Sequence, residues 1–471
     1  MSKNINKIKL VKPFLVIGLM WMFFLTSCDK DFVEVDLPNS LVSGDLVFEN
    51  DETAIAAATG MYNSMQGNYH FIGGVFSSLS FLAGLTSDEM VHYFNFTEYP
   101  GEFYDNEINI DNTYIYNGWA TMYNTIYEAN SIIEGVETSN SLSEEVKKQV
   151  EGEAKFVRAF CYFYLVNLFE DVPLVLSTNY GTNATLSRLS SEEVYLQIVT
   201  DLQEAKGLLN LEYLGSKKTR PNKLTASALL ARVFLYLNDY DNAENEATSI
   251  IDSNKYSIAS DVNNVFLTNS TEAIWQLSRI YPDGVPTADG ELFIINFFVM
   301  HSLNDNLRNS FENGDFRKLN WISSYEDIFF GGGTFYYPFK YKVKRYRDDA
   351  NYPEQLMMFR LAEQYLIRAE ARAKLGDTAG AQEDLNMIRN RAGLDNTTAN
   401  SQSALLLAIE VERRHELFCE MGHRWLDLKR TGRTDAVLGP IKPNWNAEDV
   451  LYPIPESEIL KNPNLTQNPG Y

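Results

Sequence analysis

Few residues of this chain stand at the spacings that catalysis requires. There is no G-x-S-x-G, no Walker loop, no G-x-G-x-x-G and no C-x-x-C, so nucleophilic and nucleotide-dependent chemistry lack their usual frames. His415-Glu416 opens like a zinc-binding helix, but Cys419 stands where the second histidine is needed. With five histidines in the whole chain, a His-based metal site is not expected. Asp239 and Asp241 imitate the start of an EF-hand loop, yet Ala243 replaces the third ligand inside a helical stretch. The run Gly331-Gly332-Gly333 lies between aromatic residues and carries no phosphate-binding pattern. Paired carboxylates for glycoside hydrolysis can be drawn at will among 63 acids, and that abundance deprives any one pair of meaning. The expectation is a protein that needs neither cofactor nor metal and is not an enzyme.

Binding chemistry is better represented. A sugar ring has a flat face of polarised C–H groups that lies against Tyr or Trp, while its hydroxyls need Asn, Asp or Arg at the rim. Tyr93, Tyr99 and Tyr104 stand among Asn95, Glu98 and Asp105; Tyr281 has Asp283 nearby; Trp321 follows Asn320. Residues 255–355 are dense in aromatics, including Trp275, Tyr325, Phe335 and Tyr336, within a stretch rich in Asn, Asp and Gly. The candidate glycan-binding residues are therefore Tyr93, Asn95, Tyr99, Tyr104, Tyr281, Asn320, Trp321 and Tyr336. The plainer alternative for any single ring is core or partner interface. Phe339, Tyr341 and Val343 alternate with Lys340, Lys342 and Lys344, which predicts a half-exposed strand. A solvated strand face explains those lysines more simply than an anionic ligand does.

Long irregular insertions carry binding residues when a rigid body holds them. Leu361, Tyr365, Ala369 and Ala373 recur every fourth residue, and after Gly376-Asp377 the helical spacing resumes with Ala381, Leu385 and Ile388. Helix, break and helix make an αα-hairpin, and small residues at Ala369 and Ala381 give the tetratricopeptide pattern. Residues 225–252 repeat it, with Ala231 for Ala369, Asn238-Asp239 for Gly376-Asp377 and Ala243 for Ala381. Further helices are predicted over 52–65, 114–136, 144–169 and 190–209, the third stopped before Pro173 and the last opened by a Ser-Ser-Glu-Glu cap. Residues 93–105 read as irregular. The predicted fold is all-α, a tetratricopeptide-like helix-pair scaffold with a large irregular, loop-rich ligand lobe inserted between repeats.

Lys3, Lys7, Lys9 and Lys12 precede an apolar run over 14–25, the layout of a secretory signal and shorter than the roughly 20 apolar residues of a spanning helix. Leu25-Thr26-Ser27-Cys28 resembles a bacterial lipobox, which implies cleavage before Cys28 and attachment of lipid to its sulfur. Removing residues 1–27 takes away four lysines and no acid, so the formal charge of −23 becomes about −27. Such a surface repels nucleic acid, and no nucleic-acid partner is expected. Cys161 and Cys419 sit in apolar helical contexts and are expected as buried free thiols. The organisation read from these features is a signal peptide over 1–27 and a lipidated tether over 28–50. A helical region with repeats follows over 51–254, then the aromatic ligand lobe over 255–355 and a C-terminal helical region over 356–471.

Residues 412–432, ERRHELFCEMGHRWLDLKRTG, resemble the signature of the SusD/RagB outer-membrane lipoproteins, usually near E-R-R-x-E-L-x-F-E-G-x-R-x-x-D-L-x-R. The match is close at Glu412, Arg413, Glu416, Leu417, Glu420, Gly422, Arg424, Asp427 and Leu428, and departs at Cys419 and Met421. Residues 361–371, 389–393, 452–459 and 462–471 are similar to the family as well. The resemblance implies four tetratricopeptide-like helix pairs, an irregular ligand lobe, and attachment to the outer membrane at the cell surface. It also implies a lid on a SusC-type TonB-dependent transporter, capturing a nutrient glycan without chemistry, with the repeats meeting the transporter and the lobe meeting the ligand. Arg413, Glu416, Arg424 and Asp427 fall at helical spacings that allow salt bridges between neighbouring turns, and are read as structural. Three other functions stay open: a peptide-binding member of such an uptake system, a surface glycoside hydrolase, and a structural helical-repeat adaptor.

Overall fold

A computed structural model describes residues 44–74, 77–93, 98–215, 217–279, 284–328, 331–345 and 353–471. Of the N-terminal unit Met1–Val47 only the helical turn Gly44–Val47 is described; the unit Phe48–Tyr471 holds every other described element. The body of that second unit is a run of helices: α1 (Thr113–Thr138), α2 (Glu144–Phe169), α3 (Ser191–Leu208), α4 (Lys223–Tyr236), α5 (Tyr240–Ile251), α6 (Leu361–Leu375), α7 (Thr378–Arg391) and α8 (Gln402–Leu417). Each packs on the next, so four helix pairs form one stack. The contact between α5 and α6 is direct, although the intervening segment departs from the stack there and returns.

Local sequence sets the ends of these helices. Ser190 caps α3 through the Glu193 N–H while the Glu193 carboxylate reaches back, a reciprocal pair that satisfies two helix-end donors. Helix α2 stops where Glu170 takes φ 64°, just ahead of Pro173. The two repeat hairpins turn alike. Asn238 (φ 59°) and Gly376 (φ 91°) both take the left-handed conformation that Gly adopts freely and Asn tolerates. Asp239 and Asp377 then cap the following helices through Asn242 and Gly380 N–H groups. Ala231, Ala243, Ala369 and Ala381 are all fully buried, as close helix approach demands.

The segment between α5 and α6 is zipped at its base by β2 (Ala273–Leu277) and β6 (Leu356–Arg360), an antiparallel ladder buried along its whole length. Trp275 anchors it, with its ring 5.0 Å from Phe156, 5.2 Å from Phe160 and 5.5 Å from Phe359. Two further ladders complete the described strands. One pairs β1 (Met90–His92) with β3 (His301–Leu303), and the other is the hairpin of β4 (Ile322–Glu326) and β5 (Thr334–Pro338).

Three expectations change. Residues 93–105 are not irregular throughout, because β1 precedes Tyr93 and a helix covers Glu98–Asp105. The strand lies at Thr334–Pro338 rather than over the lysine alternation; the Phe339 N–H still bonds the Trp321 carbonyl (2.7 Å), but there the partner segment is already the helix Phe316–Trp321 and the ladder stops. The lysines there are not a solvated face either. Lys340 is 5% exposed and pairs with Glu420, while Lys342 and Lys344 direct their ammonium groups onto backbone carbonyls such as Phe339 and Glu291.

Candidate ligand-binding face

Three chain segments bring rings to one place. In the β4–β5 hairpin side chains alternate between faces, so Tyr325, Phe335 and Tyr337 share one side and Tyr336 takes the other. Tyr337 is buried against Ile295 and Val299, and Tyr325 and Phe335 flank that cluster. The loop that supplies Ile295 and Val299 also presents Phe297 and Phe298, 45% and 52% exposed, with ring centroids 4.6 Å apart at 84°. The Tyr325 hydroxyl donates to the Phe297 carbonyl (3.1 Å), tying loop to hairpin. Tyr93, at the end of β1, meets Phe335 edge-on at 5.3 Å and shares a hydrogen bond with Ser302 of β3 (2.8 Å). The result is an aromatic ledge whose rings are held by backbone ladders rather than by loops alone.

The candidate residues divide around it. Tyr93 is 47% exposed and stands on the ledge. Tyr104 is half-buried on the neighbouring helix, with the Lys442 ammonium 4.1 Å from its ring centre; burial, then the Asp105 charge, raises its hydroxyl pKa. Tyr336 faces away from the ledge, under the Arg308 guanidinium at 4.3 Å. Asn320 lies beyond the Ile322 end of the hairpin, half-buried and bonded to Asn263 (2.8 Å). Trp321 is a correction. It is fully buried, its indole N–H donates to the Val262 carbonyl (2.9 Å), and an enclosed ring offers no face to a sugar. Asn95, Tyr281 and Cys28 lie outside the described residues, as does the side chain of Tyr99. Sequence reasoning missed Phe297 and Phe298, because an apolar INFFVM run reads as core.

Beneath the ledge the family-like signature forms a buried charge network. Leu417 ends α8 and a new helix starts at His423, so the signature spans two helices; Arg413, Glu416 and Arg424 pair across elements, while Asp427 also meets Arg430 one turn on (2.8 Å). Arg413 pairs with Asp427 (2.8 Å) and Arg424 with Asp88 (2.7 Å). Glu416 meets Arg317 (3.0 Å), Arg360 (2.5 Å) and Arg391. Burial works to raise the Glu416 pKa, but Arg391, Arg360 and Arg317 outweigh it and hold the carboxyl well below its usual range. Cys161 and Cys419 are buried free thiols, and burial raises both. His415 stacks on Phe311 at 4.2 Å and bonds Ser310 (2.8 Å).

Two further carboxyls sit at the roots of the ledge. Glu89 precedes β1 and accepts the Cys419 N–H (3.0 Å); Asp289, on the helix ahead of the Phe297 loop, accepts the Ser78 hydroxyl (2.9 Å). Burial first pushes each up to about 7. Between the unfolded carboxyl range and pH 7 these two groups bind more protons in the native state than in the unfolded one, so their contribution to stability falls as pH rises. His70, His301 and His415, kept neutral by burial, contribute in the opposite sense. Each carboxyl's own share is a loss of at most about 1.4 kcal/mol per pH unit between pH 5 and pH 7, read as the difference in urea midpoints between wild type and a variant. Glu89→Gln should make the slope of stability against pH more positive than that of wild type by about this amount, and an unchanged slope would assign it elsewhere.

The fold defines a helical-repeat scaffold carrying an inserted lobe, and comparison with known proteins places it further. Residues 59–235 match a family profile described as starch-binding and associating with the outer membrane, and residues 304–447 and 439–471 match that of the SusD family. The chain belongs to the SusD family. A SusD-like protein of Formosa agariphila is 26% identical over 96% of this chain and 99% of its own. Among solved structures, a SusD superfamily protein from Bacteroides vulgatus superposes with TM-score 0.77 at 20% identity, covering 90% of this chain and 100% of that one. Surface glycan-binding protein A from Bacteroides thetaiotaomicron, solved with laminarihexaose, gives 0.76 at 19%, covering 89% and 99%. No helix among the described residues is long and apolar enough to cross a membrane.

Proposed function

We propose that this protein is a non-catalytic, cell-surface glycan-binding lipoprotein, anchored in the outer membrane through Cys28. In this reading it delivers an oligosaccharide to a SusC-type TonB-dependent transporter. The aromatic ledge of Tyr93, Phe297, Phe298, Tyr325 and Phe335 carries this reading, since the exposed Tyr93, Phe297 and Phe298, set against the half-buried hairpin rings Tyr325 and Phe335, form a platform for sugar faces at little entropic cost. Residues 255–355 act as the ligand lobe, with Tyr93 and Tyr104 contributed from outside it. Family membership and the laminarihexaose complex of the B. thetaiotaomicron neighbour support a glycan as ligand. Transporter partnership rests on the family resemblance.

The test is native affinity electrophoresis of the protein in gels cast with laminarin, starch, xylan, pectin and other polysaccharides. One glycan is expected to retard the wild type. Tyr93→Ala with Phe298→Ala should weaken that binding about tenfold or more, because aromatic stacking contacts are each worth on the order of 1 kcal/mol. Retardation that survives the double substitution would move the binding face off the ledge. Lack of retardation by every glycan, with binding to peptides instead, would overturn the glycan assignment.

A further inference from the structure

A second place on this molecule has the chemistry of a sugar site. The segment 102–116 runs along two clefts that meet at Ile110, one of about 590 Å³ and one of about 280 Å³. The larger is walled by Glu102, Asp105, Glu107, Asn106, Asp449 and Tyr471; the smaller by Asp111, Thr113, Tyr116, Glu456 and Ser457. A hydrogen bond from the Glu456 N–H to the Ile110 carbonyl (2.9 Å) narrows the passage between them. Rings stand along this groove. Tyr471 is in the wall of the larger cleft with its hydroxyl bonded to the Leu451 carbonyl (2.9 Å), and Tyr116 in the smaller is 38% exposed. Tyr180, 83% exposed, stands close enough to the Lys461 ammonium to share its field with Tyr116.

The polar groups of the walls mostly accept. Glu102 already takes the Asn109 N–H (2.9 Å) and the Asn112 amide (2.7 Å), which fixes its carboxylate in place. Glu107 and Glu448 add like charge to the burial that raises the Asp449 carboxyl. Asn106 is 2% exposed in the wall, held at φ 60°; its amide donates to the Thr86 carbonyl (3.2 Å) and its Oδ1 has no hydrogen-bond partner. Two ammonium groups border the groove and both are engaged: Lys461 is paired with Glu458 (2.8 Å) and lies 5.5 Å from the Tyr116 ring centre, and Lys442, beside Asp105, donates to the Leu85 and Tyr104 carbonyls. Among the described residues no three acidic, His or Cys groups converge as metal ligands do. What suits such a groove is a neutral molecule with many hydroxyl donors and apolar ring faces. An anionic chain would meet carboxylates along its length.

We infer that this groove is a second carbohydrate subsite, separate from the aromatic ledge, which takes an uncharged glycan chain by accepting its hydroxyl protons and stacking it on Tyr116 and Tyr471. The inference rests on the glycan-binding reading above and adds both a second contact and a preference for neutral chains. Two sites on one polymer raise its apparent affinity without altering that of a fragment too short to reach both.

The experiment compares wild type, Tyr116→Ala with Tyr471→Ala, and Glu107→Lys, the last at an exposed position where folding is not at stake. Each is tested in gels of laminarin, starch, xylan and pectin and by calorimetry with hexasaccharides of the retarding polymer. The groove variants are expected to weaken binding of a neutral polysaccharide by about tenfold while leaving the hexasaccharide within about twofold of wild type. Unchanged polysaccharide binding in both groove variants, with Tyr93→Ala still effective, would overturn the subsite and leave the ledge standing. A wild type retarded by pectin alone would overturn the neutral preference and with it the subsite. A wild type retarded by no polysaccharide would take down the parent reading and the subsite together.

Discussion

Glu416→Ala is expected to destabilise the protein by about 3–5 kcal/mol, because removal of one partner leaves buried charges uncompensated. Glu416 is fully buried and receives Arg317, Arg360 and Arg391 from three different elements. Arg317 lies in the first turn of the short helix Phe316–Trp321 ahead of β4, Arg360 closes β6, and Arg391 ends α7. One carboxylate therefore joins the inserted lobe, the base of the insertion and the repeat stack. The neighbouring Glu272, Glu412 and Glu420 keep part of the cationic charge compensated, so the loss should stop short of complete unfolding at low temperature. Thermal unfolding should drop by roughly 3–6 °C. Glu416→Gln, which retains hydrogen bonding but no charge, should fall between wild type and alanine. A melting temperature within about 2 °C of wild type for Glu416→Ala would mean that the remaining acids neutralise the three arginines unaided.

Trp321→Ala is expected to cost a further about 3–5 kcal/mol, the usual penalty of an emptied aromatic site in a core. The ring is enclosed by Phe266 at 5.5 Å and Phe418 at 6.5 Å, with the Lys340 ammonium at 4.9 Å and the Arg391 guanidinium at 5.5 Å from its centre. Its loss would leave a cavity beside cations that now lie over a ring face. Under conditions where the variant is still folded, its affinity for the glycan should stay within about twofold of wild type, since no part of the ring reaches the surface. The Tyr93 and Phe298 substitutions should show the reverse, weaker binding at nearly unchanged melting temperature. Glycan binding lost in folded Trp321→Ala would return the ring to the ligand face.

Local spacing in the sequence was enough for the scaffold. A helix period, a left-handed Asn or Gly, an Asp cap and small residues at Ala231, Ala243, Ala369 and Ala381 are all short-range signals, and the two hairpins they predict are present. The class of Cys161 and Cys419 was legible for the same reason. The lobe was harder because its rings acquire meaning only by long-range pairing. Tyr93 and Phe335 are distant in sequence and meet through the β1–β3 ladder and the β4–β5 hairpin, while Tyr336, next to Phe335, is turned to the opposite face by the pleat. Neither local composition nor flanking polar residues could separate Trp321 in the core from Phe298 in solvent.

The lysines behave the same way with respect to charge. Alternation over residues 339–344 is a sound strand signal, but the partner segment is helical before Ile322, which stops the ladder, and Glu420, far along the chain, draws Lys340 inside. By itself, then, the sequence determined the helical-repeat body, its turns and its family, because those depend on residues a few positions apart. Tertiary structure alone decided which rings are exposed, which charges are buried as partners and where clefts form, because each depends on segments that the chain brings together only on folding.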